Sequence, residues 1–373
     1  MSPSQTDPAQ LAVANVRSLS PYVPGKPIEE LQRELGLTDI IKLASNENPF
    51  GPSPRALEAM RRALEDTWLY PDGSGHELKQ RLAARLGVSV TQITLGNGSN
   101  DVLVLLAQAF LQPGLEAICS QYAFAVYPIA IQAAGAITVV TPATPAHSAM
   151  PLGHDLDAMA RSITPRTRLV FIANPNNPTG TWVPAADLRA FIARVPEHAL
   201  VVLDEAYFEY RGALDIQDGI PWLAEFPNLV VVRTFSKAYG LAGVRVGYAV
   251  SDPRVADMLN RVRQAFNVSV VGLAGAAAAL ADEAHLEHAV GVAIRERDRV
   301  AAQLGRLGTQ ALPSAGNFLL LHAGANARDR FDRLLRQGII VRPVGNYLLP
   351  EHLRVTLGTV EQNDRFLRAW ETC

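Results

Sequence analysis

The sequence predicts an α/β fold, in which helices cover both faces of a large, seven-stranded, mostly parallel sheet and a smaller α+β domain follows. Three observations lead to this prediction. Between about residues 91 and 250, short apolar runs of strand length alternate with amphipathic stretches of helical periodicity. The runs lack the apolar–polar alternation of a half-exposed strand, which is typical of parallel strands buried on both faces. After about residue 274, two long helical patterns alternate with isolated strand-like runs.

The apolar runs have the composition of buried strands. Several are rich in valine and isoleucine, and most end in a glycine or a polar residue. The seven predicted strands are 92–95, 116–120, 137–141, 169–173, 200–203, 229–232 and 244–250. Helical patterns between them, such as 101–111 and 185–194, provide the crossovers that parallel strands need.

The flanking regions predict the remaining organisation of the chain. Residues 1–45 carry Pro21, Pro24 and Pro27 before a short helical pattern, and we expect them to form an N-terminal arm and part of the small domain. Residues 46–270 are expected to form the large domain, and residues 271–373 the small one. The predicted elements of the small domain are helices at 285–307 and 327–337 and strands at 318–322, 339–342 and 353–357.

Composition excludes several classes of protein. The 373 residues include 34 basic and 36 acidic side chains, so a net charge of -2 gives no reason to expect nucleic acid or an anionic membrane as partner. The longest uncharged apolar stretch, at 268–281, is shorter than the roughly 20 residues of a membrane-spanning helix. The N-terminus lacks a secretory leader pattern, and two cysteines cannot form a disulfide framework. We therefore expect a soluble, cytoplasmic protein.

Groups with binding or catalytic chemistry follow four of the predicted strands. These are the glycine-rich segment GNGSND at 96–101, the amide-rich loop NPNNPTG at 174–180, the acid of DEAY at 204–207, and Thr234 to Lys237. Each has an ordinary explanation by itself, as a helix cap, a stiff turn or a surface residue. Together, at the carboxyl edge of one parallel sheet, they predict a ligand site. The chain has only four lysines, and Lys237 is the one that follows a buried strand.

This set of groups suits catalysis with pyridoxal 5'-phosphate (PLP). A lysine amine can form a Schiff base with the aldehyde and then carry a proton, which is the chemistry available to Lys237. An acid such as Asp204 can keep the pyridine nitrogen protonated. A phosphate is bound by a helix N-terminus, hydroxyls and an arginine, here the 96–99 segment, Thr234 with Ser236, and Arg245.

Over nearly its whole length the chain resembles the fold type I, class II-type PLP-dependent aminotransferases, and within them most closely the histidinol-phosphate branch. The resemblance implies a homodimer in which Tyr70 reaches the cofactor phosphate of the partner subunit. The motifs that carry the resemblance are SNENPFGPSP at 45–54, YPDGSGHELK at 70–79, GNGSND, NPNNPTG, DEAY, TFSKAYGLAGVRVGY at 234–248, GIIVRPV at 338–344 and LRVTLGT at 353–359.

The resemblance also implies a role for each matched residue. Lys237 would be the catalytic lysine, Tyr122 would stack on the cofactor ring, and Arg354 would clamp a substrate carboxylate. The implied cofactor-binding residues are Tyr70, Ser99, Asn100, Tyr122, Asn177, Asp204, Tyr207, Thr234, Ser236 and Arg245. The implied substrate-binding residues are Tyr22, Asn46, Arg342 and Arg354.

The expected substrates are an amino donor, histidinol phosphate, and a 2-oxo acid acceptor, 2-oxoglutarate. Two alternatives on the same framework remain open: an aromatic amino-acid aminotransferase and a lyase similar to threonine-phosphate decarboxylases. A non-enzymatic PLP-binding regulator is disfavoured, because no basic helix-turn-helix region precedes the transferase-like part. No metal site is expected, since His285 and His288 lie on an amphipathic, alanine-rich helix without further ligand motifs.

Overall fold

The computed structural model describes residues 7–373, so the first six residues of the predicted arm lie outside the described residues. The strands of the described part are β1 (Ile41–Lys42), β2 (Ile93–Gly96), β3 (Glu116–Ser120), β4 (Ile137–Thr141), β5 (Thr167–Ala173), β6 (Leu200–Asp204), β7 (Leu229–Thr234), β8 (Gly247–Ser251), β9 (Phe318–His322), β10 (Ile339–Ile340), β11 (Arg342–Pro343) and β12 (His352–Thr356). The α-helices are α1 (Ala14–Arg17), α2 (Ile28–Leu35), α3 (Pro54–Ala63), α4 (His76–Leu86), α5 (Ser99–Phe110), α6 (Val126–Ala133), α7 (Leu156–Arg161), α8 (Ala185–Arg194), α9 (Pro253–Val262), α10 (Val270–Ala279), α11 (Glu283–Arg306), α12 (Ala327–Arg336) and α13 (Val360–Glu371).

Seven strands form the central sheet, in the order β2-β8-β7-β6-β5-β3-β4. Strand β8 runs antiparallel to both neighbours, and the other pairs are parallel. The predicted fold class, with its seven-stranded, mostly parallel sheet, is confirmed. The last predicted strand began at residue 244, whereas β8 begins at Gly247, because a 3-10 turn at Ala242–Val244 and a left-handed residue, Arg245, come first.

Both faces of the sheet are buried against helices. Consecutive residues of β6, Val201 and Val202, belong to two different apolar clusters, as expected when side chains alternate between two covered faces. Helix α10 packs closely on α3, and a Cβ at Gly275 would lie 2.7 Å from Cγ of Met60. The unalternated apolar runs are thus explained by burial on both sides.

The carboxyl ends of the central strands meet at one edge. Ala173 at the end of β5 pairs in register with Asp204 at the end of β6, and Asp204 pairs with Val232 of β7. Strand β7 continues to Thr234, which pairs with Gly247 at the start of β8. The loops that follow β5, β6 and β7 therefore leave the sheet side by side.

The C-terminal region contains a second, three-stranded antiparallel sheet in the order β11-β12-β9. The N-terminal segment joins this region through β1, which pairs in parallel with β10. The single strand predicted at 339–342 is divided at Val341, since β10 pairs with β1 whereas β11 pairs with β12. The division into domains at residues 45 and 270 stays a prediction.

In the described part of the chain, no helix combines the length and the apolar character needed to cross a membrane.

Candidate active site

A cavity opens at the carboxyl edge of the sheet, between the ends of β5 and β6 and the segments that contain β11 and β12. The N-terminal residues 44–46 form part of its wall. Eight of the residues proposed from the sequence line it: Tyr22, Asn46, Asn177, Asp204, Tyr207, Lys237, Arg342 and Arg354. The cavity therefore collects residues from the N-terminal, central and C-terminal parts of the sequence.

Lys237 lies three residues beyond the end of β7. Its Nζ donates a hydrogen bond of 3.0 Å to the carbonyl oxygen of Ser45. Burial lowers the pKa of Lys237 to about 8, and the positive charge of Arg354 acts in the same direction. A substantial fraction of this amine is therefore neutral near pH 8, which is the form that can attack a carbonyl carbon.

Asp204 is the last residue of β6 and is buried. The hydroxyl of Tyr127 donates to its Oδ2 at 2.7 Å, and the backbone N–H of Ala206 donates to its Oδ1 at 3.1 Å. Burial raises the pKa of Asp204 to about 6, whereas these two hydrogen bonds and the charge of Lys237 hold it lower. At neutral pH the carboxyl is mostly ionised, as an acid that faces a protonated ring nitrogen must be.

Tyr207 and Arg354 lie near Lys237 and are also buried. The Tyr207 hydroxyl accepts a hydrogen bond of 2.9 Å from Nδ2 of Asn46. The guanidinium of Arg354 donates to Oδ1 of Asn177 and to the carbonyl oxygen of Ala44. Its Nε is buried and has no hydrogen-bond partner among residues 7–373.

A cluster suited to an anion lies at the start of α5. Arg245 packs so closely on Gly98 that a Cβ there would lie 2.2 Å from its Nη2. Nη1 of Arg245 donates to Oγ of Ser236 at 3.1 Å, and the backbone N–H of Ser236 donates to Oγ1 of Thr234 at 3.1 Å. Ser99 begins α5 and Asn100 follows it. A helix N-terminus, a hydroxyl and an arginine thus converge, which is the arrangement that binds phosphate.

The resemblance implies that Tyr122 stacks on the cofactor ring, and this role stays a prediction. The Tyr122 side chain packs against the apolar cluster that contains Leu312 and Tyr347, and it is not part of the cavity wall. Phe124 lines the cavity instead, with its ring centroid 5.8 Å from that of Tyr127. The chain turns between β3 and α6, which sends residues 122 and 124 to different surroundings. Phe124 is therefore the better candidate for an aromatic wall.

Tyr70 lies outside the main cavity. It is 82% exposed and stacks on Phe266 with 4.7 Å between ring centroids. The same surface depression contains Tyr70, Asn97 and Arg245, so Tyr70 lies beside the phosphate-type cluster. Within one chain its hydroxyl is open to solvent.

Arg342 connects the second sheet to the N-terminal segment. Its Nη2 donates to the carbonyl oxygen of Val23, and its Cζ lies 6.0 Å from the ring centroid of Tyr22. Arg342 is buried, whereas Tyr22 is 45% exposed. An arginine and an aromatic ring therefore stand at the mouth of the cavity.

Sequence reasoning missed two supports behind the site. Tyr127 resembles an ordinary core aromatic in the sequence, and its contact with Asp204 depends on the packing of α6 on the sheet. Glu205 accepts two hydrogen bonds from Arg233 at 2.8 and 2.7 Å, and this buried ion pair joins the ends of β6 and β7. The sequence did contain a signal for Glu205: Asp204 and Glu205 are consecutive at the end of a strand, where side chains alternate in direction, so only one of them can face the cavity.

The two histidines weighed as metal ligands have other contacts. A ring nitrogen of His285 lies 3.1 Å from the carbonyl oxygen of Gly51, and His288 meets the ring of Phe50 edge-on. Both belong to the packing of α11 on the 50–51 turn.

Residues 38–369 match the family model described as aminotransferase class I and II. The chain belongs to this family. The family suggested by the sequence motifs is thereby confirmed, and the protein is an aminotransferase.

Several relatives of this aminotransferase share the same name. It is 56% identical over 359 residues to histidinol-phosphate aminotransferase 2 of Methylococcus capsulatus, covering 96% of this chain and 97% of that protein. It is 54% identical over 365 residues to histidinol-phosphate aminotransferase 2 of Pseudomonas aeruginosa, covering 96% of each.

Solved structures of aminotransferases share the fold. Histidinol-phosphate aminotransferase from Sinorhizobium meliloti, in complex with pyridoxal-5'-phosphate, superposes with a TM-score of 0.88 at 34% identity, covering 97% of this chain and 96% of that one. A single mutant of aspartate aminotransferase from Thermus thermophilus superposes with a TM-score of 0.83 at 26% identity, covering 96% of this chain and 99% of that one.

Proposed function

We propose that this aminotransferase depends on PLP and transfers the amino group of histidinol phosphate to 2-oxoglutarate, forming imidazole-acetol phosphate and glutamate. The observation that carries the proposal is the pair of buried arginines, Arg342 and Arg354, in a cavity that also holds Lys237 and Asp204. The names of relatives at 54–56% identity support the choice of substrate.

The residues of the site fit PLP. Lys237 is a buried amine with a lowered pKa, and Asp204 is a buried acid that two hydrogen bonds keep ionised. The cluster of Gly98, Ser236 and Arg245 has the donors that a phosphate monoester needs. When bound, PLP supplies an aldehyde that condenses with amines and a ring that withdraws electrons from the neighbouring carbon.

The side chains of this chain perform the remaining tasks. Lys237 accepts and returns a proton at Nζ, for which a pKa near 8 is well matched. Asp204 presents a carboxylate to the ring nitrogen of the cofactor, held in place by Tyr127. Asn177 already accepts from Arg354 through Oδ1, so its Nδ2 remains as a donor.

The substrate half of the cavity has two cationic positions. Arg354 lines the cavity and suits the carboxylate of glutamate. Arg342 lies nearer the N-terminal segment, where it suits the distal phosphate or the side-chain carboxylate. The rings of Tyr22 and Phe124, 6.3 Å apart, provide an aromatic wall for an imidazole. This wall also favours the second candidate, transamination of aromatic amino acids.

We propose in addition that the protein is a cytoplasmic homodimer. Trp68, Leu69 and Tyr70 are 80%, 51% and 82% exposed, and Leu69 and Tyr70 lie in the surface depression that contains Arg245. Covering these residues with a second copy would bring Tyr70 of one chain toward the phosphate cluster of the other. Two free cysteines, Cys119 and Cys373, suit a reducing compartment.

A panel of half-reactions tests the substrate. The PLP-loaded protein is mixed in turn with histidinol phosphate, phenylalanine, tyrosine and threonine phosphate, and loss of the absorbance of the aldehyde form is followed by stopped flow. We expect histidinol phosphate to react at least about tenfold more efficiently than phenylalanine and tyrosine, because its phosphate gains a charge-assisted contact that they lack. Faster reaction with phenylalanine or tyrosine would establish the aromatic alternative. Release of carbon dioxide from threonine phosphate, without amino transfer, would establish the lyase.

A further inference from the structure

Tyr207 lines the cavity, and the hydrogen bond between its hydroxyl and Asn46 has a direction. Nδ2 of Asn46 donates to the Tyr207 oxygen at 2.9 Å, and both side chains are buried. Among the described residues, Asn46 is the hydrogen-bond partner of this hydroxyl. Because Asn46 is the donor, the hydroxyl hydrogen of Tyr207 stays available for an acceptor in the cavity.

The direction depends on which end of the Asn46 amide faces Tyr207. With the amide reversed, Oδ1 would face the hydroxyl, and Tyr207 would donate to Asn46 instead of into the cavity. The two ends of an amide are nearly the same in shape, so packing alone does not select between them. A third group has to make the selection.

Thr356, at the end of β12, is this group. Its Oγ1 accepts from the backbone N–H of Asn46 at 2.9 Å and donates to Oδ1 of Asn46 at 2.9 Å. The single hydroxyl hydrogen of Thr356 therefore requires an oxygen, and not an NH₂ group, on its side of the amide. A reversed amide would leave this hydrogen buried without an acceptor.

We propose that Thr356 is a positioning residue for the transamination site: through Asn46 it orients the Tyr207 hydroxyl so that Tyr207 donates to the cofactor and not to the protein. The hydrogen bonds run in one direction, from Thr356 to Asn46, from Asn46 to Tyr207, and from Tyr207 into the cavity. The proposal rests on PLP binding as described under Proposed function, and on the role that the family resemblance implies for Tyr207, a hydrogen bond to the phenolic oxygen of the cofactor.

The surroundings of Tyr207 determine how the effect is measured. Four charged groups lie near it: Lys237, 5.6 Å from the ring centroid, together with Arg354, Asp204 and Glu47. Burial raises the pKa of Tyr207, while Arg354 and the hydrogen bond from Asn46 lower it and the two acids raise it. A variant at Thr356 leaves all four charges in place, so a change in titration reports on the hydrogen bonds.

The test compares Thr356→Val, which keeps the shape without the hydroxyl, with Thr356→Ser, which keeps the hydroxyl. The absorbance of the PLP-loaded protein is titrated against pH, and the midpoint of its transition is recorded. A hydrogen bond donated to the phenolic oxygen stabilises its anionic form and lowers this midpoint. We expect the midpoint of Thr356→Val to rise by about 0.5–1 unit, the effect of losing one hydrogen bond, and Thr356→Ser to match the wild type.

A second background separates this proposal from a general loss of structure. In Tyr207→Phe protein, Thr356→Val should cause no further rise, because the group through which Thr356 acts is absent. An unchanged midpoint in Thr356→Val, or an equal rise in the Tyr207→Phe background, would overturn the proposal. If the wild type shows no titrating PLP absorbance at all, the proposed function has failed instead.

The valine variant retains other supports for Asn46. Nδ2 of Asn317 donates to the carbonyl oxygen of Asn46 at 3.1 Å, and β12 stays paired with β9 at Phe318. Should Thr356→Val nevertheless not fold, Asn46→Asp provides the same test. A carboxylate still accepts from Thr356 but cannot donate to Tyr207, and its charge raises the midpoint in both backgrounds, so the extra rise with Tyr207 over that with Tyr207→Phe reports on the hydrogen bond. Equal rises in both would overturn the proposal.

Discussion

The Tyr127 hydroxyl lies 2.7 Å from Oδ2 of Asp204, and both side chains are buried beneath the cavity. The ring of Tyr127 stacks on Phe171 with 4.8 Å between centroids and 12° between planes, so the position of the hydroxyl is set by core packing. Asp204 thus accepts a hydrogen bond from a hydroxyl whose position is fixed by the core. This contact opposes the rise in pKa that burial imposes on the carboxyl.

Replacing Tyr127 by phenylalanine should make the enzyme more sensitive to acid. Loss of the hydrogen bond raises the pKa of Asp204 above about 6, so less of the carboxylate is ionised at pH 7. We expect the acid limb of the kcat/KM profile to move up by about 0.5–1 unit, with near wild-type activity recovered at higher pH. Phe171→Leu is the control that disturbs packing but keeps the hydroxyl. An acid limb that stays in place in Tyr127→Phe would contradict this role.

Reductive trapping should label Lys237 and no other lysine. Borohydride treatment of the PLP-loaded protein, followed by peptide mapping, identifies the attached residue. Lys79 is the one serious competitor, since burial also lowers its pKa, whereas Lys26 and Lys42 are held in ion pairs with acids. Lys237→Ala should abolish both labelling and turnover, and Lys79→Ala should leave both intact. Label on Lys79 in the wild type would refute the assignment.

Mixing two inactive variants tests whether the site is shared between subunits. If Tyr70 serves the partner's cofactor, Lys237→Ala and Tyr70→Ala chains form mixed dimers with one intact site. Random mixing should restore up to about a quarter of wild-type activity, because half of the dimers are mixed.

Lys237→Ala mixed with Arg245→Ala is the matched control for this experiment. Both residues serve the site of their own chain, so the mixed dimer has no intact site and should stay inactive. Equal activity of the two mixtures would argue against the shared site.

His154 should make the fold weaker in acid. Its Nε2 lies 2.9 Å from the carbonyl oxygen of Ala173, and burial lowers its pKa to about 4. An unfolded histidine titrates near 6.5, so between these values the unfolded chain binds more protons and stability falls as pH falls. The loss should reach about 2 kcal/mol at pH 5 and approach about 3 kcal/mol below pH 4.

Urea unfolding at pH 7.5 and pH 5 measures this loss. His154→Gln can keep the hydrogen bond to Ala173 without titrating, and should lose about 2 kcal/mol less than the wild type between the two pH values. His147→Gln, at an exposed position, should behave as the wild type does. Equal acid sensitivity in His154→Gln would show that other groups are responsible.

Much of the fold and of the site could be predicted because the relevant signals are local. A buried parallel strand is a short apolar run, and the residue that follows it must lie at the carboxyl edge of the sheet. Asp204 and Lys237 each follow such a run, so their meeting required only the fold class.

The supports of the site could not be predicted in this way. Tyr127 and Asp204 are 77 residues apart, and Asn46 and Thr356 are 310 apart, so their contacts depend on how whole elements pack. Nothing in their local sequence distinguishes them from core residues. The different surroundings of Tyr122 and Phe124 could not be predicted for a related reason, since they depend on the path of the turn after β3.

The antiparallel strand β8 has a further consequence. Thr234 of β7 pairs with Gly247 of β8, so residues 235–246 form a loop that leaves and rejoins the sheet at the same point. Lys237 and Arg245 both lie in this loop. Its end is fixed, because Gly247 packs so tightly on α5 that a Cβ would lie 2.2 Å from the backbone nitrogen of Ser99. The length of this loop is therefore constrained: inserting or deleting one residue would shift the Lys237 amine relative to the Arg245 guanidinium. Over evolution, this stretch should therefore reject insertions and deletions.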